Sequence, residues 1–522
     1  MRRKRWIFST LLLLLATFFM VKCGTAQPVV DTSQLEAAQA AAAAAEAKAA
    51  TAEAALAEAQ SQAEAAAASG AEELAAAEAA VEAAKAEAEA AMKAAESASE
   101  SVEAQQTLAE PGLEDATVIH LMSDEIAPES QDFYRKAAAD FEALNPNVSI
   151  SLDFQGNMDQ ALAIRVAAGE PPEIASMQLE RLLYYADRGL LEPADWWFEK
   201  YGDDVVELAS IPYKDTHWDI PYALTSEMWW YRQDLFEEAG IPRPETWEDM
   251  LAAAEHFNDP ASDFYGIAIA AGPGEWTAWH YEVFLWQNGG FVFDTDLKPL
   301  VDSPESIEAL NYLKELYQFS PPDASTWEWW DSIDAFVAER VAMSMYGGRL
   351  LVHTARDNPD LAPVTRVMDQ PLGEMRAGPL SRKSHAILSN APNKEKAKEF
   401  LDFMMQPEYL LPFLRTVPIH LTPPLKSYRN SPLYTEDPLI QSHLEDMEIV
   451  YEAVTYGRSL GWESPNHPPN PYSGAINSAN ILPQMIQKVL LEDVSPEEAT
   501  AWAKAEIIKV QEQVDAERVI QE

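Results

Sequence analysis

From Thr117 to Gly189 the chain alternates two kinds of segment, and that rhythm leaves few folds open. Thr117 to Met122 is a continuous apolar run of strand length. Ser130 to Leu144 places Phe133, Ala137, Phe141 and Leu144 on one helical face, and Asn145-Pro146-Asn147 stops it. Val148 to Phe154 is a second strand, and Asp159 to Ala168 a second helix closed by Gly169 and Pro171-Pro172. Ile174 to Met177 is a third strand, and Arg181 to Arg188 a third helix ending at Gly189. Strands alternating with helices predict an α/β fold built on parallel strands. Gly266 to Ala271 reads as a further strand, and Ser306 to Phe319 and Lys394 to Met405 as helices with apolar faces. Ser495 to Val514 reads as a last helix, entered through a serine cap with Pro496 at its first position.

What precedes this region is different. Asp31 to about Gln106 is almost entirely Ala and Glu, both strong helix formers, with no proline. Large apolar residues are sparse (Leu35, Leu56, Leu74, Val81, Met92, Val102). A continuous helix over this run would reach roughly 110 Å at 1.5 Å per residue. Three forms stay open: a solvated spacer, a coiled coil, and a partly disordered tether. Ser69-Gly70 is the one point where it could kink or turn back. Pro111-Gly112 ends the segment.

The extreme N-terminus carries Arg2, Arg3, Lys4 and Arg5, then an apolar run from Trp6 to Val21, then Cys23. This pattern resembles a bacterial lipoprotein signal, with lipid attached at Cys23; Lys22 departs from the small residue such signals place there. A cleaved soluble form and an uncleaved anchor helix are the alternatives. Cys23 is the only cysteine, so no intrachain disulfide can form. The net charge is −48. The first thirty residues contribute +5 and residues 31–110 contribute −13, which leaves −40 for residues 111–522. So acidic a domain repels nucleic acid and anionic lipid, and neither is expected as a partner.

Enzyme signatures are missing from the sequence. It holds no HExxH, GxSxG, GxGxxG or P-loop, and no cysteine nucleophile. His280 and Glu282 lie two apart, too little for a metal site. No catalytic residue, metal or cofactor is expected. A pair of carboxylates brought together by folding is invisible at this level, so a secreted carbohydrate-active enzyme remains the alternative class. Two aromatic clusters, Trp276-Thr-Ala-Trp279 and Trp327-Glu-Trp329-Trp330-Asp331, read as loops.

Four stretches, in order, resemble a known family. The first is Phe141-Glu-Ala-Leu-Asn-Pro-Asn147 with Ala168-Gly169-Glu-Pro171 and Gly189-Leu-Leu-Glu-Pro193. The second is Ile220-Pro-Tyr-Ala, Trp230-Tyr-Arg-Gln-Asp-Leu-Phe236, Ala239-Gly240-Ile241 and Thr246-Trp247-Glu-Asp249. The third is Asn288-Gly289-Gly290 leading to Asp302-Ser303-Pro304-Glu305. The fourth is Ala335-Phe336, Val341-Ala-Met343, Gly347-Gly348, Asn393-Lys-Glu-Lys-Ala397 and Phe400-Leu401. Together they resemble the extracellular solute-binding proteins of ABC importers, in the maltose-binding-like, sugar-type branch, over about residues 115–515.

The resemblance implies a two-lobed periplasmic-binding-protein fold, type II-like, with a hinge of crossing strands and ligand held in the interlobe cleft. Crossings are expected near Tyr222 to Glu227, Leu380 to His385 and Ser431 to Pro438. The implied domains are a leader at 1–22, an anchor and linker at 23–30, the helical segment at 31–110 and the binding domain at 111–522. One lobe takes about 115–223 and 384–430, and the other about 227–379 and 436–522. The implied partners are a small-molecule ligand, expected to be a carbohydrate, and ABC permease transmembrane subunits. A lipid anchor would hold the protein at the outer face of the cytoplasmic membrane or in the periplasm.

Sugar recognition needs aromatic faces for the C–H side of the ring and planar polar groups for its hydroxyls. Position by position, the resemblance assigns Asp124 and Glu125 to polar contacts after the first strand. Glu180 and Arg181 fall on the family's acid–arginine pair. Thr225 and Ser226 stand where the hinge strand otherwise supplies an acid. Trp279 and Trp329 fall on or beside stacking aromatics, with Trp276 and Trp330 in the same clusters. Arg349 stands where the maltose pattern has a stacking Trp, which points away from maltose itself. Trp462 opens a Pro- and Asn-rich loop that is either a plain crossover or a cleft wall.

Overall fold

The computed structural model describes residues 116–521. The leader, Cys23, the linker and the Ala/Glu-rich segment with Ser69-Gly70 lie outside the described residues.

β1 (Thr117–Ser123), β2 (Val148–Phe154) and β3 (Ile174–Met177) run parallel, with β1 between the other two. Leu121 sits beside Leu152 on one side and Ile174 on the other. β4 (Ile220–Ser226) and β5 (Met228–Arg232) are nearly continuous. β6 (Tyr265–Ala268), β7 (Val341–Tyr346), β8 (Thr365–Met368), β9 (Gly378–Ile387) and the short β10 (Gly457–Arg458) complete two sheets. The first runs β2-β1-β3-β9-β10, with β4 also paired to β9, and the second runs β6-β7-β5-β8. The parallel arrangement expected from the alternation holds for β1 to β3. β9 is antiparallel to both β3 and β4, and β5 to both β7 and β8.

Each sheet anchors one lobe, and Glu227 alone separates them along the chain. β4 ends at Ser226 in the first sheet, and β5 begins at Met228 in the second. β9 lies beside β4, from Ser226 opposite Leu380 to Ile220 opposite His385. Pro221 has no N–H for the ladder, and the register shifts between Pro221 and Ala223. The crossing is tied down from the second lobe. Gln370 Nε2 donates to Glu227 O (2.6 Å), and Gln287 Nε2 donates to Gln370 Oε1 (3.2 Å) and Ala377 O (3.0 Å). The third crossing contains no strand. Helix Pro432–Thr435 packs on Pro407–Leu414 in the first lobe, and helix Leu444–Ala453 packs on β8 in the second.

Every position of β4 and β5 is buried. A strand covered on both faces loses its alternation and reads as an apolar run. Trp229 and Trp230 lie fully inside, the latter donating its indole N–H to Tyr346 O at 2.8 Å. Trp247 stacks on Tyr312 with ring centroids 4.3 Å apart.

Three expectations need correction. The strand read over Gly266 to Ala271 is Tyr265–Ala268, because Ile269 N bonds Ser320 Oγ (3.1 Å) instead of a ladder partner. The last helix does not stop at Val514 but spans Pro496–Gln521. Both aromatic clusters read as loops open helices, Glu275–Gln287 and Trp329–Val337. The second is fixed by a capping box, in which Glu328 N donates to Asp331 Oδ2 at 2.7 Å.

The C-terminal helix packs on helices Pro304–Tyr317 and Ile481–Leu490 of the second lobe. Its last turns also reach the first lobe. Arg518 pairs with Asp187, and Glu517 with Arg188 at 3.3 Å. No helix among the described residues is long and apolar enough to cross a membrane.

Candidate functional site

Where β4 gives way to β5 the chain carries a group of buried polar side chains. Thr225 Oγ1, Ser226 Oγ and one oxygen of Glu227 are buried without a hydrogen-bond partner among the described residues. Nδ1 of His385 and of His420 are in the same condition. Gly347, the residue after β7, lies beside them, and a Cβ there would lie 2.4 Å from His420 Nδ1 and 3.1 Å from Thr225 Cγ2, so no larger residue fits. Burial pushes the Glu227 carboxyl up to about 8, against the opposing pull of the Gly347 N–H and the Arg349 guanidinium. At neutral pH it is therefore mostly a neutral donor. Burial also depresses His385, to about 4, and His420 further. Orphaned polar groups at this density need a hydroxyl-bearing partner, either water or ligand.

Lobe-one polar groups form the next wall. Asp124 receives a hydrogen bond from Ser176 Oγ (2.8 Å) and lies 3.8 Å from Arg181 Nη1. Arg181 in turn pairs with Asp159 and donates to Ser176 O at 3.2 Å. Glu125 accepts from Lys383 Nζ (2.6 Å) and Tyr222 OH (3.0 Å). Burial alone would raise both carboxyls. Lys383, with Arg181 for Asp124, outweighs it and holds them below the usual range, so both are anionic. Sequence reasoning missed Lys383, 258 residues from Glu125.

Acids and aromatics from both lobes close the far side. Glu180 projects from helix Leu179–Asp187 of the first lobe and Glu275 and Glu282 from helix Glu275–Gln287 of the second. With Trp279, Trp286, Arg458 and Asn477 they line a narrow space. Gly461 N donates to Glu180 Oε1 (3.2 Å), and Asn477 Nδ2 to Glu275 Oε1 (2.7 Å). Burial, then Glu180, raises Glu275 to about 7; burial, then Glu275, Glu463 and Glu180, raises Glu282 well above its ordinary value.

The aromatic candidates divide. Trp276 is fully buried, donates its N–H to Ser332 Oγ (3.0 Å) and packs 4.5 Å from Trp329, so it lies beneath the cleft wall. Trp279 lies edge-on to Trp329 at 4.9 Å and faces the acidic space. Trp330 is 52% exposed, with Arg349 over its ring at 5.8 Å. Arg349 makes no ion pair or hydrogen bond among the described residues. Trp462 is half-buried between the two apolar cores. The next residue, Glu463, anchors its loop by accepting from Trp286 Nε1 (3.0 Å), Val292 N (2.7 Å) and Phe293 N (3.0 Å). Glu275, Trp279 and Glu282 are spaced i, i+4, i+7. Reading the cluster as helical would have revealed that face.

Residues 127–410 match the model of the bacterial extracellular solute-binding protein family. The maltotriose-binding protein of Pyrococcus abyssi is 22% identical over 362 residues, 66% of this chain and 74% of that protein. The melibiose/raffinose/stachyose-binding protein MelE of Bacillus subtilis is 22% identical over 322 residues, 57% of this chain and 72% of its own. The match to another relative covers only 49% of that protein's length. A crystal structure of an ABC transporter solute-binding protein from Thermotoga lettingae, bound with α-D-tagatose, superposes with a TM-score of 0.62 at 22% identity, covering 76% of this chain and 99% of that one. These relatives are binding proteins, not enzymes, and the family is extracytoplasmic. With more than half its length matched by the family model, two lobes and a polar cleft at their crossing strands, the chain belongs to the bacterial extracellular solute-binding proteins.

Proposed function

We propose that this protein is the substrate-capturing component of an ABC importer, taking a sugar or oligosaccharide between its lobes and delivering it to the permease subunits. The observation that carries this reading is the convergence of unpartnered buried hydroxyl, carboxyl and imidazole groups on the hinge floor with indole faces on one wall. Hydroxyl-rich rings have both kinds of surface. Relatives named for maltotriose, for mannitol and for melibiose, raffinose and stachyose support the same class. Lipid anchorage at Cys23 and the spacer role of residues 31–110 belong to this proposal as well. The test is a thermal-shift panel of those sugars and of non-sugar solutes. A true ligand at a hundredfold excess over its Kd should add about 2.7 kcal/mol of stability. Stabilisation by another solute class alone would remove the sugar assignment.

Three substitutions probe the walls. Trp279→Ala or Trp329→Ala should weaken a stacked sugar by ~1–3 kcal/mol, read by calorimetry. Arg349→Ala should leave stability within about 0.5 kcal/mol, since its guanidinium holds no partner in the fold, yet lower affinity if it reaches the ligand. Unchanged affinity would remove that residue from the site.

A further inference from the structure

We infer that the captured solute carries an ammonium group, as an amino sugar does, seated between Glu180 of one lobe and Glu275 and Glu282 of the other. The inference rests on the carbohydrate reading above and narrows it.

Glu275 and Glu282 lie two turns apart on one helix and face the same space as Glu180. Closure of the lobes therefore presses three acids together. None of the three has a cation within ion-pair distance among the described residues. Three other carboxylates around the cleft are matched, and Glu227 at the crossing is held mostly neutral by burial. Asp124 has Arg181, Glu125 has Lys383, and Glu463 has three N–H donors. Glu282 gives the independent sign of a ligand. It is 3% exposed, borders the cavity and makes no hydrogen bond among the described residues. Arg458 borders the cavity too; its guanidinium lies over Phe291 (5.5 Å) and against Met375 Sδ (3.2 Å), with Nη1 left unpartnered among the described residues, and its charge acts on Glu463 rather than on Glu275 or Glu282.

Burying unpaired carboxylates side by side is unfavourable unless a positive charge or protons enter with them. Asp159 and Glu463 add to the negative field around Glu275 and Glu282. An ammonium offers three N–H donors, which suits three carboxyls. Trp279 at the edge gives it an indole face. No group of acids and histidines among the described residues is arranged to hold a metal ion, which favours an organic cation. The −40 carried by residues 111–522 draws cations toward the domain.

The experiment is calorimetry on the full chain with amino sugars (glucosamine, galactosamine and the β-1,4 glucosamine dimer), their N-acetyl forms, their neutral parents, maltotriose, raffinose, mannitol and putrescine. An amino sugar is expected to bind at least tenfold tighter than its N-acetyl and neutral counterparts. Glu282→Gln and Glu275→Gln should each erase most of that preference, with far-UV circular dichroism and thermal midpoint confirming the fold. Neutral sugars binding as well as or better than amino sugars would overturn the inference and leave the sugar-receptor reading standing. Putrescine binding that is lost in Glu282→Gln, with no sugar bound, would keep the cation site and overturn the sugar reading. No binding by any probe would overturn both.

Discussion

Asp219→Ala is expected to destabilise the binding domain by about 3–5 kcal/mol, the cost of leaving a buried charge without its partner. Asp219 and Arg382 are both fully buried, 3.2 Å apart, and bracket the crossing strands. Asp219 immediately precedes β4, and Arg382 lies on β9. Arg382 has one further bond, Nη1 to Ala209 O at 3.1 Å. Burial raises the Asp219 carboxyl in spite of Arg382, so desolvation outweighs attraction at this pair. The pair is thus a poor source of stability but a severe loss when halved. Asp219→Leu combined with Arg382→Met should recover most of the deficit. Urea denaturation of the two single variants and the double would measure this. A loss below about 1 kcal/mol for Asp219→Ala would mean that Arg382 finds water there.

Stability of the domain should fall as pH rises from about 5 to 9, with Glu227 as a main source. Its folded carboxyl keeps a proton up to about 8, whereas an unfolded glutamate releases it near its ordinary value of 4.5. The folded state then binds more protons across that window, so the slope of stability with pH is negative. The contribution is complete below about pH 4.5 and is lost as pH passes 8. A difference of this size is on the order of a few kcal/mol at 1.36 kcal/mol per unit. Asp124 and Glu125 act in the opposite sense. Their lowered values give stability that is present above the unfolded values and lost as pH falls through the folded ones. The optimum should therefore lie between those limits, on the acid side of neutral. Glu227→Gln should flatten the alkaline limb, measured as urea midpoints at pH 5, 7 and 9. Equal slopes in both proteins would place the effect elsewhere.

The parts of the fold legible in the sequence were those with local punctuation. β1, β2, β3 and their helices are short apolar or amphipathic runs closed by Gly169, Gly189 or Asn145-Pro146, and they emerged within one or two residues. Helix Glu275–Gln287 was misread because nearly every residue of it is buried. A helix covered on all sides has no apolar stripe to betray its period. Partners across the cleft left no trace at all. Nothing near Glu125 announces Lys383, and nothing near Glu180 announces Glu275, since folding alone brings them together. At the hinge the sequence drew attention to Thr225 and Ser226, whereas the buried acid of the crossing is the next residue, Glu227.

The division of strands between the two sheets also sets an order of assembly. The four strands of the second sheet all lie between Met228 and Met368. The first sheet begins at Thr117 but needs β9, and at Ser384 that strand meets Met177 across 207 residues. A chain released N-terminus first therefore carries β1 to β3 with the β3 edge bare until the second lobe has been delivered. Long-range pairings of this kind form slowly and leave a strand edge open to wrong partners in the interval. The sheet that comes first in the chain is the last to be finished, and the strand beside the crossing is the one on which its folding waits.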